Sequence, residues 1–290
     1  AKLSADDYQA LAGNTRRDPV NPWAINTVAG GSQSFTNALL NGGAIFDLTD
    51  ELSIFGSFSE GFTMADVGRV LRAVSAPDVS VATLLDLEPV ITDNHEFGLS
   101  YDNDVISAKV SYFISKSDLG ARLSANSDGV FSVNREKTRI KGIEIAISAN
   151  VTDNFKIGGN YSNLEGHYDS DDDGVIDTTL PSVNISPDTL NLFAEATLVN
   201  GLSARLQSSH YFDRSFDVTD SNTYGDFSGY TLVDLSVAYA SEIGTISLGV
   251  ENLLDEYYLT YNAQTYSFAR DDRFFSGRGR TATLGYVVDF

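Results

Sequence analysis

The 290-residue chain has no cysteine, which excludes disulfides and thiolate chemistry and suits a polypeptide that must pass unfolded through an oxidising compartment without mispairing. No stretch approaches the roughly 18 uninterrupted apolar residues that a spanning helix needs, so any passage through a bilayer must be made by closed β-sheet. Cations are scarce, with 19 Lys and Arg against 40 Asp and Glu and a formal net charge of -21. Binding a phosphate backbone needs clusters of Lys and Arg that are missing here, so nucleic acid is excluded as a partner, whereas an acidic surface suits divalent cations.

Catalytic constellations are missing too. His95, His167 and His210 are scattered, and there is no H-E-x-x-H helix, no G-x-S-x-G elbow and no phosphate-cradling glycine loop. Carboxylate pairs arise by chance in a chain with 40 acidic residues, so the chain is not read as an enzyme. Residues 1–11 have neither a basic start nor an apolar core, so no secretion signal is visible; either it has been removed or the chain begins inside a larger protein. At 42% hydrophobic and 20% charged residues, bulk composition alone does not identify a membrane protein.

What the sequence does contain is a rhythm. From about Gly30 onward, short alternating segments are joined in turn by tight polar turns and by long polar loops. The tight turns fall at Leu48–Asp50, Asp102–Asp104, Thr152–Asn154, Val199–Gly201 and Ser241–Gly244, all rich in residues that tolerate turn geometry. The loops span Gly61–Val90, Ala121–Phe131, Tyr168–Pro187, Asp213–Gly229 and Leu259–Arg278. Outer-membrane barrels keep short turns on one side and long loops on the other, an alternation that soluble sandwiches have no reason to maintain.

Within the segments one parity is apolar: Ile106, Val110 and Ile114; Ile143, Ile145 and Ile147; Leu190 and Leu192; Val233, Leu235 and Val237; Leu284, Tyr286 and Val288. The other parity carries Lys109, Ser111, Glu144, Asn191, Glu195, Arg205, Gln207 and Asp234. Such a pattern gives one lipid-facing and one water-facing side. Phe58, Tyr101, Phe155, Tyr161 and Tyr239, near segment ends, fit interfacial aromatic girdles. The reading is an all-β, transmembrane antiparallel β-barrel with about eleven strands present, starting near Ser34. A porin or a soluble all-β binding domain would share the period-two pattern.

Three stretches carry a family resemblance. Leu52–Phe62 ends in Ser59-Glu60-Gly61-Phe62; Leu87–Leu99 is similar to an L-x-P-E-x-x-x-N-x-E-x-G strand start, with Val90 in place of the usual Glu; and Asn252-Leu253-Leu254-Asp255-Glu256-Tyr257 is followed by Gly277-Arg278-Gly279-Arg280. Together they resemble the barrel domain of TonB-dependent outer-membrane receptors, with Leu254 where Phe is usual. Tyr286, Val288 and Phe290 resemble the terminal signal read by the outer-membrane assembly machinery.

The resemblance covers about Gly42 to Phe290 and implies the C-terminal half of a 22-stranded barrel. Residues 1–31 are expected to be an external loop or irregular segment, and residues 32–290 barrel strands. The plug domain and TonB box have no counterpart in this sequence. The implied function is import of a ferric siderophore or similar metal chelate, driven by TonB, in the outer membrane of a Gram-negative cell. The implied partners are lipid, lipopolysaccharide and the TonB complex, and the barrel is expected to be monomeric.

Two groups of residues are candidates for ligands. Asp169, Asp171, Asp173 and Asp177 fit the D-x-D-x-D-G start of a calcium loop; Leu180 stands where a bidentate Glu belongs, so this is no EF-hand, and a solvated acidic loop tip is the alternative. The segment Tyr257–Arg280 mixes Tyr257, Tyr258, Tyr261 and Tyr266 with Arg270 and Arg273, aromatic faces and guanidinium groups suited to a planar anionic chelate. Arg69 and Arg72 are further candidates of that kind. Alternatively, the tyrosines belong to the interfacial girdle and the arginines pair with lipopolysaccharide phosphates or nearby carboxylates.

Overall fold

In a computed structural model the described residues are 2–11, 25–63, 80–81, 89–125, 131–182, 184–198, 201–216, 226–265 and 275–288. The chain opens with short arms. Strand β1 (Lys2–Ala5) pairs with β4 (Gly31–Ser34), and β2 (Tyr8–Leu11) with β3 (Ile25–Val28). Both pairs are antiparallel and share one register, from Lys2 opposite Ser34 to Leu11 opposite Ile25. The expectation that the barrel strands begin near Ser34 is corrected: Gly31–Ser34 is taken by β1, and the large sheet begins at Asn41.

That sheet comprises β5 (Asn41–Asp47), β6 (Leu52–Thr63), β7 (Val90–Asp102), β8 (Ile106–Ala125), β9 (Phe131–Thr152), β10 (Phe155–Tyr168), β12 (Thr189–Thr197), β13 (Leu202–Tyr211), β14 (Tyr230–Ser241), β15 (Gly244–Glu251) and β16 (Thr281–Val287). Each pairs with its sequence neighbours, so the eleven strands form an unbroken antiparallel meander, and the two-residue β11 (Thr178–Thr179) adds to β10 from the side. In a meander successive connections fall at opposite ends. All the short turns therefore lie at one end and all the long loops at the other.

The short turns hold themselves by local side-chain caps. Thr49 Oγ1 accepts from the amides of Glu51 and Leu52, and Asn103 Oδ1 from those of Val105 and Ile106. At the β14–β15 turn Gly244 has φ 133°, a conformation that a side chain would strain. At the other end β8 and β9 run for 20 and 22 residues, about twice the 9–11 residues a tilted strand needs to cross a bilayer. Their hairpin therefore continues well past the apolar zone. The loop expected from Ala121 is strand as far as Ala125.

Cross-strand register turns the sequence parity into two faces. One row runs Leu99, Val110, Ile145, Tyr161, Leu190, and another runs Ile106, Ala149, Ile157, Ala194, Leu206, Leu235, Val250. Leu99, Val110, Ile145, Ile147, Ile157, Leu192, Leu206 and Leu284 are all exposed on the isolated chain. In water such a face would be a large unpaid hydrophobic cost; against lipid it is the stable arrangement. Among the described residues no helix is long and apolar enough to cross a membrane.

The opposite face is polar, with rows such as Ser53, Ser100, Lys109, Ala146, Asn160, Asn191 and Ser209. It carries one repeated packing device. Phe55, Phe113 and Phe193 each sit directly opposite a glycine of the next strand, Gly98, Gly142 and Gly158. A Cβ at Gly142 or Gly158 would lie 2.8 or 2.7 Å from the ring's Cζ, and one at Gly98 would strike the Phe55 ring. Each ring therefore lies over its neighbour's backbone. Lys109 Nζ stands 4.5 Å above the Phe55 ring and the Arg205 guanidinium 4.1 Å above Phe193, in cation–π geometry.

Candidate functional site

The long-loop end gathers three structures. The first is a clasp built from the two stretches that carried the terminal motif. Asn252, 3% exposed, adopts φ 49°; its Nδ2 donates to the carbonyls of Glu256 (2.9 Å) and Arg278 (3.2 Å), and its Oδ1 accepts from the Glu256 amide. Its own amide donates to Asp234 Oδ1. Asp255 Oδ1 accepts from the Arg280 amide at 2.9 Å. The Gly277 amide donates to the Tyr258 carbonyl, and the Tyr258 ring covers Gly277 so closely that no Cβ fits. One buried Asn side chain thus joins both ends of the loop.

The second is an aromatic network that joins two loops and is tied by Tyr261 to a third. Tyr258 packs on Tyr230 at 4.5 Å, Tyr230 on Tyr211 and Phe227, and Phe227 meets Tyr261 edge to face at 5.0 Å. Phe227 and Phe216 are buried. The helical turn α1 (Tyr261–Thr265) is fastened to the loop before β14 by Gln264, which donates to the Ser228 carbonyl and accepts from its amide. Tyr261 donates to the Ile185 carbonyl at 2.7 Å. Burial raises its phenol above the usual range, opposed by nearby Arg214, so it remains a neutral donor.

Arg214 itself is wired to backbone, donating to Ser186 O (2.7 Å) and Leu164 O (3.0 Å), with Asp188 3.9 Å away. Asp188 also accepts from Tyr161 and Asn163. Asn163, Asp188 and Arg214, with Phe216, Phe227 and Tyr230, are not marked by the sequence as site residues, and Tyr161 reads there as a girdle aromatic. The one signal was the position of Arg214, Phe216 and Phe227 in the Asp213–Gly229 loop. Of the expected chelate ligands, Tyr258 and Tyr261 are drawn into the network, whereas Tyr257 stands free at 78% exposure. Arg69, Arg72, Tyr266, Arg270 and Arg273 lie outside the described residues.

The third is the acidic loop between β10 and β11. The carboxylates of Asp169, Asp171 and Asp173 offer oxygens within 4.8 Å of one another. Asp177 is not part of that cluster and accepts from Thr178 Oγ1 instead. The chain turns through Asp172 at φ 59° and Gly174 at φ 90°. Asp169 Oδ2 accepts from the Gly174 amide and Asp173 Oδ1 from the Val175 amide. Tyr168 and Leu180, which flank the loop, both enter a buried cluster with Ile185 and Phe216, and Tyr261 packs against it. Leu180, in the place of a bidentate Glu, therefore serves as an apolar anchor.

On the polar face of the sheet, a recess of about 490 Å³ is lined by Lys109, Lys156, Asn160, Asn191, Arg205 and Gln207 among others. Two of its cations are paired, Lys109 with Glu96 at 3.5 Å and Arg205 with Glu195 at 3.0 Å.

Comparison with known proteins agrees with this geometry. The family described as TonB dependent receptor-like, beta-barrel matches residues 5–253. The chain is 27% identical to the ferric aerobactin receptor of Klebsiella pneumoniae over 314 aligned positions, covering 98% of this chain and 40% of that receptor. It is 25% identical to the rhizobactin receptor of Rhizobium meliloti (strain 1021), covering 92% of this chain and 37% of that protein. Among solved structures the copper transporter OprC superposes with a TM-score of 0.69 at 19% identity, covering 90% of this chain and 39% of that one. The chain thus spans about two fifths of the length of the curated relatives it matches.

Proposed function

Since the chain belongs to the β-barrel family of TonB-dependent receptors, proteins of the Gram-negative outer membrane, we propose that it forms the C-terminal wall and external loops of a receptor that imports a ferric siderophore with energy delivered by TonB. The observation that supports this reading most is the family match over residues 5–253 together with relatives named as siderophore receptors. The meander, with its outward apolar face and its long loops gathered at one end, is the architecture such a receptor needs. A passive porin would need the same strands, and nothing in the comparisons favours it.

The chelate is taken at the long-loop end. There Tyr257 offers an exposed aromatic face, and Arg69, Arg72, Tyr266, Arg270 and Arg273 lie in the loop sequences that supply guanidinium and phenol groups for an anionic, partly planar ligand. Tyr258 and Tyr261, of the same loop as Tyr257, are committed to the aromatic network. The outward face meets lipid and lipopolysaccharide as a single barrel.

The test is iron uptake by intact cells carrying the full-length gene, its deletion, or the gene in a strain without TonB. Ferric aerobactin and ferric rhizobactin are supplied separately as sole iron source. Growth and uptake on at least one of them are expected to vanish in the deletion and in the TonB-less strain. Uptake that survives loss of TonB but not loss of the gene would instead identify a passive channel.

A further inference from the structure

The acidic loop at residues 169–177 has a feature that a solvated loop tip does not share. Asp169 is 2% exposed, and burying a carboxylate is costly unless each oxygen finds a partner. Its Oδ2 accepts from the Gly174 amide at 2.9 Å. Its Oδ1 is buried with no hydrogen-bond partner among the described residues. Beside it stand the carboxylates of Asp171 and Asp173, all three offering oxygens within 4.8 Å of one another. Three like charges at that spacing repel, and a buried one among them has no water to screen it.

Two oxygens that share one ion at about 2.4 Å are at most about 4.8 Å apart, so this set fits around a single hard cation of calcium size. Two internal cations stand by the loop: Lys137, whose Nζ lies 3.8 Å from where a Gly174 Cβ would stand, and Arg139, whose guanidinium donates to the Ile176 carbonyl. Neither hydrogen-bonds to Asp169 Oδ1.

We infer that Asp169, Asp171 and Asp173 bind one calcium ion, completed by water and loop carbonyls, and that this ion locks the external loop between β10 and β11. The lock reaches the ligand surface through packing. Tyr168 and Leu180, the two feet of the loop, share a buried cluster with Phe216, and Tyr261 packs on that cluster and donates to Ile185 O. Loading the loop therefore steadies the support of the aromatic network. The inference does not depend on which chelate the receptor imports, because it concerns an ion held by the loop rather than cargo.

The experiment uses the full-length receptor purified in detergent and stripped with EGTA. Calcium is titrated by calorimetry, and terbium, excited through tyrosine with Tyr168 adjacent to the site, serves as an emissive probe. One calcium per receptor is expected, with Kd of about 10⁻⁵ to 10⁻³ M, displacing terbium far better than magnesium does. Asp171→Asn combined with Asp173→Asn, both at exposed positions, is expected to weaken calcium at least tenfold while leaving heat-modifiable mobility unchanged. Lys137→Met is expected to leave the site intact or tighten it. The inference is overturned if the wild type takes up no calcium at about 10 mM, if the double variant binds as the wild type does, or if magnesium competes equally.

Discussion

The two loop bases at the long-loop end meet the same requirement, burial of a polar side chain, in opposite ways. Asn252 is neutral, and both of its amide atoms are spent on backbone groups of Glu256 and Arg278. Asp169 is a carboxylate of which one oxygen is used and the other is left over. The clasp is complete within the chain; the acidic loop leaves one buried oxygen without a hydrogen-bond partner among the described residues. Family resemblance was strongest at the clasp, where Asn252, Asp255 and Gly277 hold the loop's ends together.

The sharpest way to break this comparison is Asn252→Ala. It strips partners from two carbonyls and an amide around a position that is 3% exposed, and the expected loss is about 3 kcal/mol in full-length receptor unfolding, followed by urea and heat-modifiable mobility. A loss below about 0.5 kcal/mol would mean the motif is not a clasp. Next comes Leu180→Ala, which removes a foot of the acidic loop that is 3% exposed. About 2 kcal/mol is expected, with faster proteolysis between residues 169 and 180 and a smaller change around Tyr261, which packs on the same cluster. Equal protection of both loops would show that the foot is not an anchor. The smallest effect belongs to Arg278→Ala. Its pairing with Glu251 is 3.6 Å long and 73% and 65% exposed at the side chains, so stability should move by less than about 0.5 kcal/mol.

The sequence made the strand order and the two faces legible because both depend on local rules. A cap such as Asn103 or Thr49 acts within three residues, and parity along a strand carries its own face assignment. The cluster that supports the candidate site obeys no such rule. Tyr261 bonds to Ile185, 76 positions away, and Tyr257 and Tyr258, adjacent in sequence, end as an exposed ring and a packed one. Reading residue types alone grouped those two together. The acidic loop was the intermediate case: spacing brought out Asp169, Asp171 and Asp173, but only the fold separates Asp177 from them and shows Leu180 turned to packing.

The three phenylalanines laid over Gly98, Gly142 and Gly158 bear on how far the polar face of the sheet protrudes. A ring lying against the neighbouring backbone adds little to the thickness of that face, whereas the same ring displaced by a methyl group would stand off the sheet. Clearance at these heights is therefore set by residues that have no side chain. Lys109 and Arg205, riding on two of the rings and paired with Glu96 and Glu195, keep their charges close to the sheet.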